Sequence, residues 1–391
     1  MGISAVKPHL AFLSAALAIG ASVAHAQSPV KIGLITTLST AGGALGQDMR
    51  DAFQLAAKEE GGKLGGVPVD LMVADDGLNP NTAKDIAERM LQHDGIRLFT
   101  GIIYTNVTLA IVPDLLRAGA VVIQNNTGPV ELDGKNCNPN LFGSAWHGEA
   151  PGESAAAAAN ARNTKQLMTI VPNYTSGLEQ RGAFKRGFKG QILDDILVKL
   201  NQTDYAAEIS QIKLRRPEGI YMFLPGGMGI SFMRQLHQAD IGDIPMYAAT
   251  TVSEQVTATV GEAARNVVGS APWTPDLDNP ASRKFVAEFR EAYKRTPTVY
   301  AANGYDTAKL IGSALAATRG DISNIAAVRK AILAAKFDSV RGKFAFGASQ
   351  YPVEDWYMTT VSKDASGTYV PHNAGKVLTA HGSPYADQCK F

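Results

Sequence analysis

Residues 30–38 read VKIGLITTL, a run of aliphatic and β-branched residues with the character of a buried strand. The sequence after it sets the rhythm of the chain. Helical spacing runs from Gln47 to Glu60, a second strand-like run from Val67 to Ala74, and Asp75, Asp76, Asn79, Pro80, Asn81 and Thr82 form a turn whose cap residues open a helix to about Gln92. A strand at Arg97–Ile102, a helix ending near Arg117 and a strand at Val121–Gln124 complete an open parallel α/β sheet.

A turn-rich interlude spans Gly128–Asn140, and the alternation then restarts with a helix near Glu153–Asn163 and strand-like runs at Gln166–Val171, Gln191–Val198, Gly219–Leu224 and Ile244–Ala249. Two series of equal rhythm imply two similar lobes rather than one large sheet. Beyond Trp273, Asp278-Asn279-Pro280 opens an amphipathic helix to Arg295, followed by helices near Tyr300–Ala317 and Ile322–Ala335 without strands of their own. They must cover a sheet built earlier, so the chain is expected to cross back between lobes, and the strand candidate Trp356–Ser362 to cross again. Several crossovers form a hinge.

The N-terminus carries Lys7 and His9, an apolar run from Leu10 to Val23, and Ala24-His25-Ala26 before Gln27. This is the pattern of a cleaved export signal, and the run is shorter than the roughly 20 residues of a membrane span. About 365 residues remain, enough for two domains. Basic and acidic residues balance at 37 to 36, so no summed field draws the chain to nucleic acid or an anionic membrane. Cys137 and Cys389 are the only cysteines. An exported chain meets an oxidising compartment where they can close a bridge pinning the tail; the alternative is two free thiols.

In open parallel sheets ligands sit beyond the carboxyl ends of the strands. The loops there are rich in small polar residues: Ser39-Thr40-Ala41-Gly42-Gly43-Ala44-Leu45-Gly46, then Tyr104-Thr105-Asn106, then Asn125-Asn126-Thr127-Gly128. Free backbone N–H groups at such helix openings, with hydroxyls and amides beside them, suit a carboxylate; taken singly, these residues also serve as ordinary helix caps. The aromatic groups Trp146-His147, Tyr174 and Trp273 stand near the second-lobe loops and crossovers, as cavity rings or as hinge packing. Catalytic patterns are missing. Gly42, Gly43 and Gly46 do not meet the GxGxxG offsets, no Ser lies in GxSxG, and the seven histidines show no HExxH or other paired spacing. Asp75 and Asp76 read as a turn cap rather than a catalytic pair.

Lys31-Ile32-Gly33-Leu34, Val73-Ala74-Asp75-Asp76, the loop within Gly101–Pro113, Pro172-Asn173-Tyr174 with Gly177, Tyr300-Ala301-Ala302-Asn303-Gly304-Tyr305-Asp306 and Arg341-Gly342-Lys343-Phe344 follow one another in an order that resembles the type I periplasmic solute-binding proteins of ABC transporters, in the branch of the branched-chain amino acid (Leu/Ile/Val) binders. The resemblance implies an α/β fold of two Rossmann-like doubly wound lobes with a three-crossover hinge. It divides the chain into a signal peptide at 1–26, lobe 1 at 27–146 and 275–352, and lobe 2 at 147–274 and 353–391.

By position, the family's carboxylate-binding roles fall on Tyr104, Thr105, Asn106, Asn125, Asn126 and Thr127; Leu45 of the first loop and Trp146 and His147 of the crossover are further candidate ligand contacts. The second-lobe contacts fall near Tyr174, Pro225-Gly226-Gly227 and Ala249-Thr250-Thr251. Amino acid binders place an acid in the last of these loops to hold the ligand ammonium, but here the positions are Thr250 and Thr251, with Glu254 the nearest acid. An ammonium buried without a counter-charge is costly, so the pattern points to an aromatic or keto acid. Asn136-Cys137-Asn138-Pro139-Asn140-Leu141-Phe142 and Cys389-Lys390-Phe391 also look like family members associated with aromatic acids. The resemblance implies a monomeric, non-enzymatic periplasmic protein without cofactor or metal, whose partners are a small carboxylate and a membrane permease. A branched-chain amino acid held by water and hydroxyls, a ligand sensor on the same fold and an exported α/β enzyme are the alternatives.

Overall fold

The computed structural model describes residues 1–4, 28–40 and 42–391; the apolar leader, its cleavage site near Ala26, and Ala41 lie outside the described residues. Among the described residues no helix is long and apolar enough to cross a membrane. The first half of the chain runs β1 (Val30–Thr36), α1 (Gly43–Glu59), β2 (Lys63–Leu64), β3 (Val67–Asp75), α2 (Pro80–Gln92), β4 (Leu98–Thr100), α3 (Thr105–Arg117) and β5 (Val121–Gln124). Short strands β6 (Thr127–Gly128), β7 (Leu141–Gly143) and β8 (Trp146–His147) lead to α4 (Ala150–Ala161). The alternation resumes with β9 (Gln166–Pro172), α5 (Thr175–Gly187), β10 (Gln191–Val198), α6 (Ala206–Arg215), β11 (Gly219–Met222), α7 (Gly227–Gln238), β12 (Met246–Ala248), α8 (Glu254–Val260) and β13 (Val267–Ala271). Helices α9 (Pro280–Tyr293), α10 (Val299–Thr318) and α11 (Ile325–Leu333) precede strands β14 (Glu354–Lys363) and β15 (Tyr369–His381).

These strands form two sheets, β2-β3-β1-β4-β5-β7 and β10-β9-β11-β12-β13-β14-β15. Strands β3, β1, β4, β5 and β7 pair in parallel, as do β10, β9, β11, β12 and β13. In the first sheet β3 lies on one side of β1 and β4 on the other; in the second, β10 and β11 flank β9 in the same way. Each lobe therefore reverses its winding at its first strand, and such a reversal leaves a crevice at the strand ends. Ile32, Leu34 and Ile35 of β1 are almost fully buried because helices cover both faces of a parallel sheet.

Helix α10 returns to the first lobe and lies against α1 so closely that a Cβ on Gly304 would come 2.2 Å from the Met49 carbonyl oxygen. Strand β14 then adds antiparallel to β13 and β15 to β14, closing the second sheet. The sequence reading anticipated β14 but not β15, the longest strand. It carries Pro371, Asn373 and Gly375 and sits at the sheet edge, where a missing ladder donor is tolerated. The last residues, within the 353–391 stretch that the sequence reading assigned to lobe 2, also touch the stretch between β5 and β7. Ser383 donates to Asp133, and Cys389 is disulfide-bonded to Cys137, in the segment joining two first-lobe strands. That bridge closes a separation of 252 residues, for which chain entropy sets an upper limit of about 5 kcal/mol.

The passages between lobes share one buried assembly. The three tryptophans of the chain, Trp146, Trp273 and Trp356, lie at these passages and are buried. Trp146 packs edge-on against Trp356 at 5.8 Å. Trp273 donates from Nε1 to Ser282 Oγ at 2.9 Å and leans on Phe285, so it is hinge packing rather than a cavity ring. Beside them, Arg341 donates from Nε to Asp306 of α10 at 3.0 Å, from Nη1 to the Ala145 carbonyl at 3.0 Å and to Glu354 of β14 at 2.9 Å, and from Nη2 to the Ser144 carbonyl. One guanidinium thus ties the first passage, the helix that covers lobe 1 and the last passage together.

Replacing Arg341 with Met would take one donor from Asp306, which keeps the Ser339 hydroxyl and the Val340 N–H, and would remove the guanidinium from Glu354 and two carbonyls. Chemical denaturation is expected to show a loss of about 3–5 kcal/mol, with Arg341→Lys between the two because an ammonium lacks the planar fork.

Candidate functional site

Residues that follow β1, β4 and β5 meet residues that follow β9, β11 and β12 around one partly open cavity. The first lobe supplies Leu45, Ile103, Tyr104, Asn126 and Trp146, together with Tyr300 from α10. The second supplies Pro151, Tyr174, Ser176, Gln180, Phe223, Pro225, Thr250 and Thr251. A larger groove runs past Leu277, Tyr305 and Tyr357, but it is open to solvent and its Lys284 and Lys309 are paired with Glu59. Only the smaller cavity lies at the strand ends of both lobes. The lobes also touch directly beside it: Gln255 of α8 donates to Asp48 of α1 at 2.8 Å, and the Val130 N–H donates to Glu179 of α5 at 2.8 Å. Burial, with Glu131 alongside, pushes the Glu179 carboxyl up to about 8.

The lining holds five aromatic rings, Tyr104, Trp146, Tyr174, Phe223 and Tyr300, and no ionisable acid or base other than the tyrosine phenols. Burial pushes Tyr300 up to about 12 against a hydrogen bond with Thr250, and raises Tyr104 and Tyr174 further, so these phenols remain neutral donors. Tyr104 is seated by a glycine: a Cβ on Gly42 would come 2.4 Å from its hydroxyl oxygen. Helices α3 and α5 begin at the cavity, since Tyr104 and Tyr174 are their N-cap residues, and α7 begins just beyond Pro225. Three helix N-termini from two lobes bring partial positive charge to one place. Trp146 Nε1, Gln180 Oε1 and Thr251 Oγ1 are buried without a hydrogen-bond partner, and a guest molecule could supply one.

Of the residues singled out from sequence, Leu45, Tyr104, Asn126, Trp146, Tyr174, Pro225, Thr250 and Thr251 line this cavity. Thr105, Asn106, Asn125, His147 and Gly226 stand outside the lining. Thr105 and Asn106 form the first turn of α3, with Thr105 Oγ1 and Asn106 Oδ1 buried and unpartnered. Asn125 turns its Oδ1 to the Gly101 N–H at 3.0 Å, holding a loop whose glycine has φ +106°. Asn126 Nδ2 donates to the Ile103 carbonyl at 2.5 Å and thereby fixes the two loops to each other. Thr127 belongs to β6, but its side chain is outside the described part. His147 sits near Glu153 and His381. Asp75 and Asp76 staple the turn after β1, accepting from the Leu38 N–H and the Thr37 hydroxyl, while Asn79 caps α2. Ile103, Pro151, Ser176, Gln180, Phe223 and Tyr300 also line the cavity, although the sequence alone did not single them out as site residues. Phe223 and Ser176 border the expected loops, whereas Tyr300 arrives from a helix far along the chain.

Glu254 does not reach the cavity lining. It opens α8 and faces a neighbouring pocket with Thr250, Trp273 and Val299, where burial pushes its carboxyl up to about 8.

The family model described as "Periplasmic binding protein" matches residues 29–367. A Leu/Ile/Val-binding protein homolog 6 from Brucella melitensis is 24% identical over 366 residues, covering 91% of this chain and 93% of the relative. A solute-binding protein of an ABC transporter from R. palustris, solved in complex with benzoate, superposes with a TM-score of 0.88 at 27% identity, covering 93% of this chain and 100% of that one. Another from Rhodopseudomonas palustris BisB5, in complex with 3,4-dihydroxy benzoic acid, has a TM-score of 0.82 at 22% identity over 91% of this chain and 99% of its own; at that identity it speaks for the fold alone.

The raised Glu254 carboxyl predicts a pH effect of definite sign. Below about pH 4.5 it is neutral folded or unfolded; between there and about 8 only the unfolded chain ionises, so its contribution makes the fold less stable as pH rises. Glu254→Gln should therefore stabilise by about 1–3 kcal/mol at pH 8.5 and by almost nothing at pH 4, read from melting curves at the two pH values.

Proposed function

The chain belongs to the periplasmic binding protein family, the solute-binding components of ABC transporters, and we propose that its solute is a single-ring aromatic carboxylate captured between the two lobes. The observation that carries this reading is a small cavity ringed by five aromatic side chains, supplied with helix N-termini and without an ionised side chain. A carboxylate finds donors there: the α3 and α5 N-termini, the Tyr104 and Tyr300 hydroxyls and the unpartnered Trp146 Nε1–H. An α-ammonium finds no anion, and its burial would cost several kcal/mol. The benzoate complex of the R. palustris relative fits the same chemistry, while the name of the Brucella relative keeps a branched-chain amino acid as the competing guest.

In this mechanism the ligand docks on the first lobe through Tyr104, Asn126 and Trp146. The second lobe then swings over with Tyr174, Phe223 and Thr251 and expels water. Closure is favoured because those contacts exist only when both lobes meet. The protein acts as a monomer in the periplasm, after removal of residues 1–26, with lobe 1 at 27–146 and 275–352 extended by the tail from about Ser383. It delivers its ligand to a membrane permease, with no nucleic acid, cofactor or catalytic step involved.

A calorimetric and melting-temperature comparison of benzoate, 4-methyl-2-oxopentanoate and leucine tests the proposal. Benzoate is expected to bind and raise the melting temperature, and leucine to leave it unchanged. Trp146→Phe should weaken benzoate by about tenfold or more, the loss of one hydrogen bond to a charged group. Binding of leucine alone would overturn the reading.

A further inference from the structure

We infer a second, inorganic site at the hinge: His147, Glu153 and His381 form a centre for a divalent transition metal of the zinc class, separate from the ligand cavity. One ligand atom from each of the three lies within 4.8 Å of the other two. Glu153 Oε2 is 2.6 Å from His381 Nε2 and 3.6 Å from His147 Nε2. A four-coordinate ion with bonds of about 2.0–2.1 Å holds its ligand atoms about 3.3 Å apart, so the Glu153–His381 contact would open, and the widest gap close, through side-chain rotation.

The second observation is His147 itself. It is 1% exposed, and neither ring nitrogen has a hydrogen-bond partner. A buried imidazole normally finds an acceptor or donor, and a metal would supply what its lone pair lacks. The nearby cation is already matched, because Arg186 pairs with Glu149 at 2.5 Å and Tyr385 donates to the same carboxylate. Glu153 then has its short contact with His381, the one that would open to admit the ion.

Two imidazoles and one carboxylate are the donor set of zinc and its neighbours, whereas calcium and magnesium require a shell of oxygens. Water would complete the sphere. The three residues come from β8 at the first passage, the first turn of α4 and the end of β15 just before the tail leaves for lobe 1. The ion would therefore clamp two inter-lobe passages to the first helix of lobe 2. No local motif announces such a site, since its ligands span 147 to 381.

The test uses tag-free full-length protein titrated with Co²⁺ and Zn²⁺. One Co²⁺ per chain should bind with the intense visible absorption of four-coordinate cobalt, Zn²⁺ should bleach it, and Zn²⁺ should raise the melting temperature. His381→Asn and Glu153→Gln, at partly exposed positions, should each weaken binding by more than about tenfold while the metal-free melting curve stays cooperative. Absence of the absorption band, or a band unchanged in both variants, would overturn the assignment and place any binding on other histidines.

Discussion

Arg341 is the constraint on which the arrangement depends. Its guanidinium is buried and spends its donors on three parts of the chain far apart in sequence: the Ser144 and Ala145 carbonyls, Asp306 of α10 and Glu354 of β14. Burial pushes the Glu354 carboxyl up to about 8 even though Arg341 beside it pulls the other way. Such a bolt does little for stability compared with a packed apolar core, but it fixes which strands face each other. With the passages held, the winding reversal of the first sheet must open toward that of the second.

That opposition determines the chemistry of the cavity. Helices α3 and α5 start where their lobes reverse, and their N-caps are tyrosines whose rings enter the space between. The groups able to attract an anion are backbone dipoles and neutral hydroxyls, which lose less on desolvation than a lysine or arginine would. Acids near the cleft are kept from it by other tasks: Asp48 binds Thr298 and Arg295, Glu179 receives the Val130 N–H, and Glu254 is turned into the adjoining pocket. The rings can then select by shape while the dipoles select by charge.

Much of this could be read from the sequence because parallel βα units put ligand contacts in predictable loops. The stretches around Tyr104, Tyr174, Pro225 and Thr250 were found that way, and the strandless helices after Pro280 implied the return to lobe 1. Three kinds of feature stayed hidden. Strand β15 does not look like a strand, because Pro371 and Gly375 interrupt it and only its edge position makes them tolerable. Asn125 and Thr105 share the composition of binding residues but lie outside the lining, with Asn125 engaged in holding Gly101; composition cannot separate a residue that shapes a loop from one that lines the cavity. Tyr300 and the His147, Glu153 and His381 cluster depend on contacts between distant segments, for which a single sequence holds no periodic signal. The motif Arg341-Gly342-Lys343-Phe344 gained its meaning only once Asp306 and Glu354 were seen beside it.

If two rigid lobes on this hinge close over a small carboxylate, the molecule becomes more compact on binding. Small-angle X-ray scattering of the protein, first without ligand and then saturated with benzoate, measures it most directly. A smaller radius of gyration is expected at saturation. An unchanged radius, with benzoate bound, would contradict it.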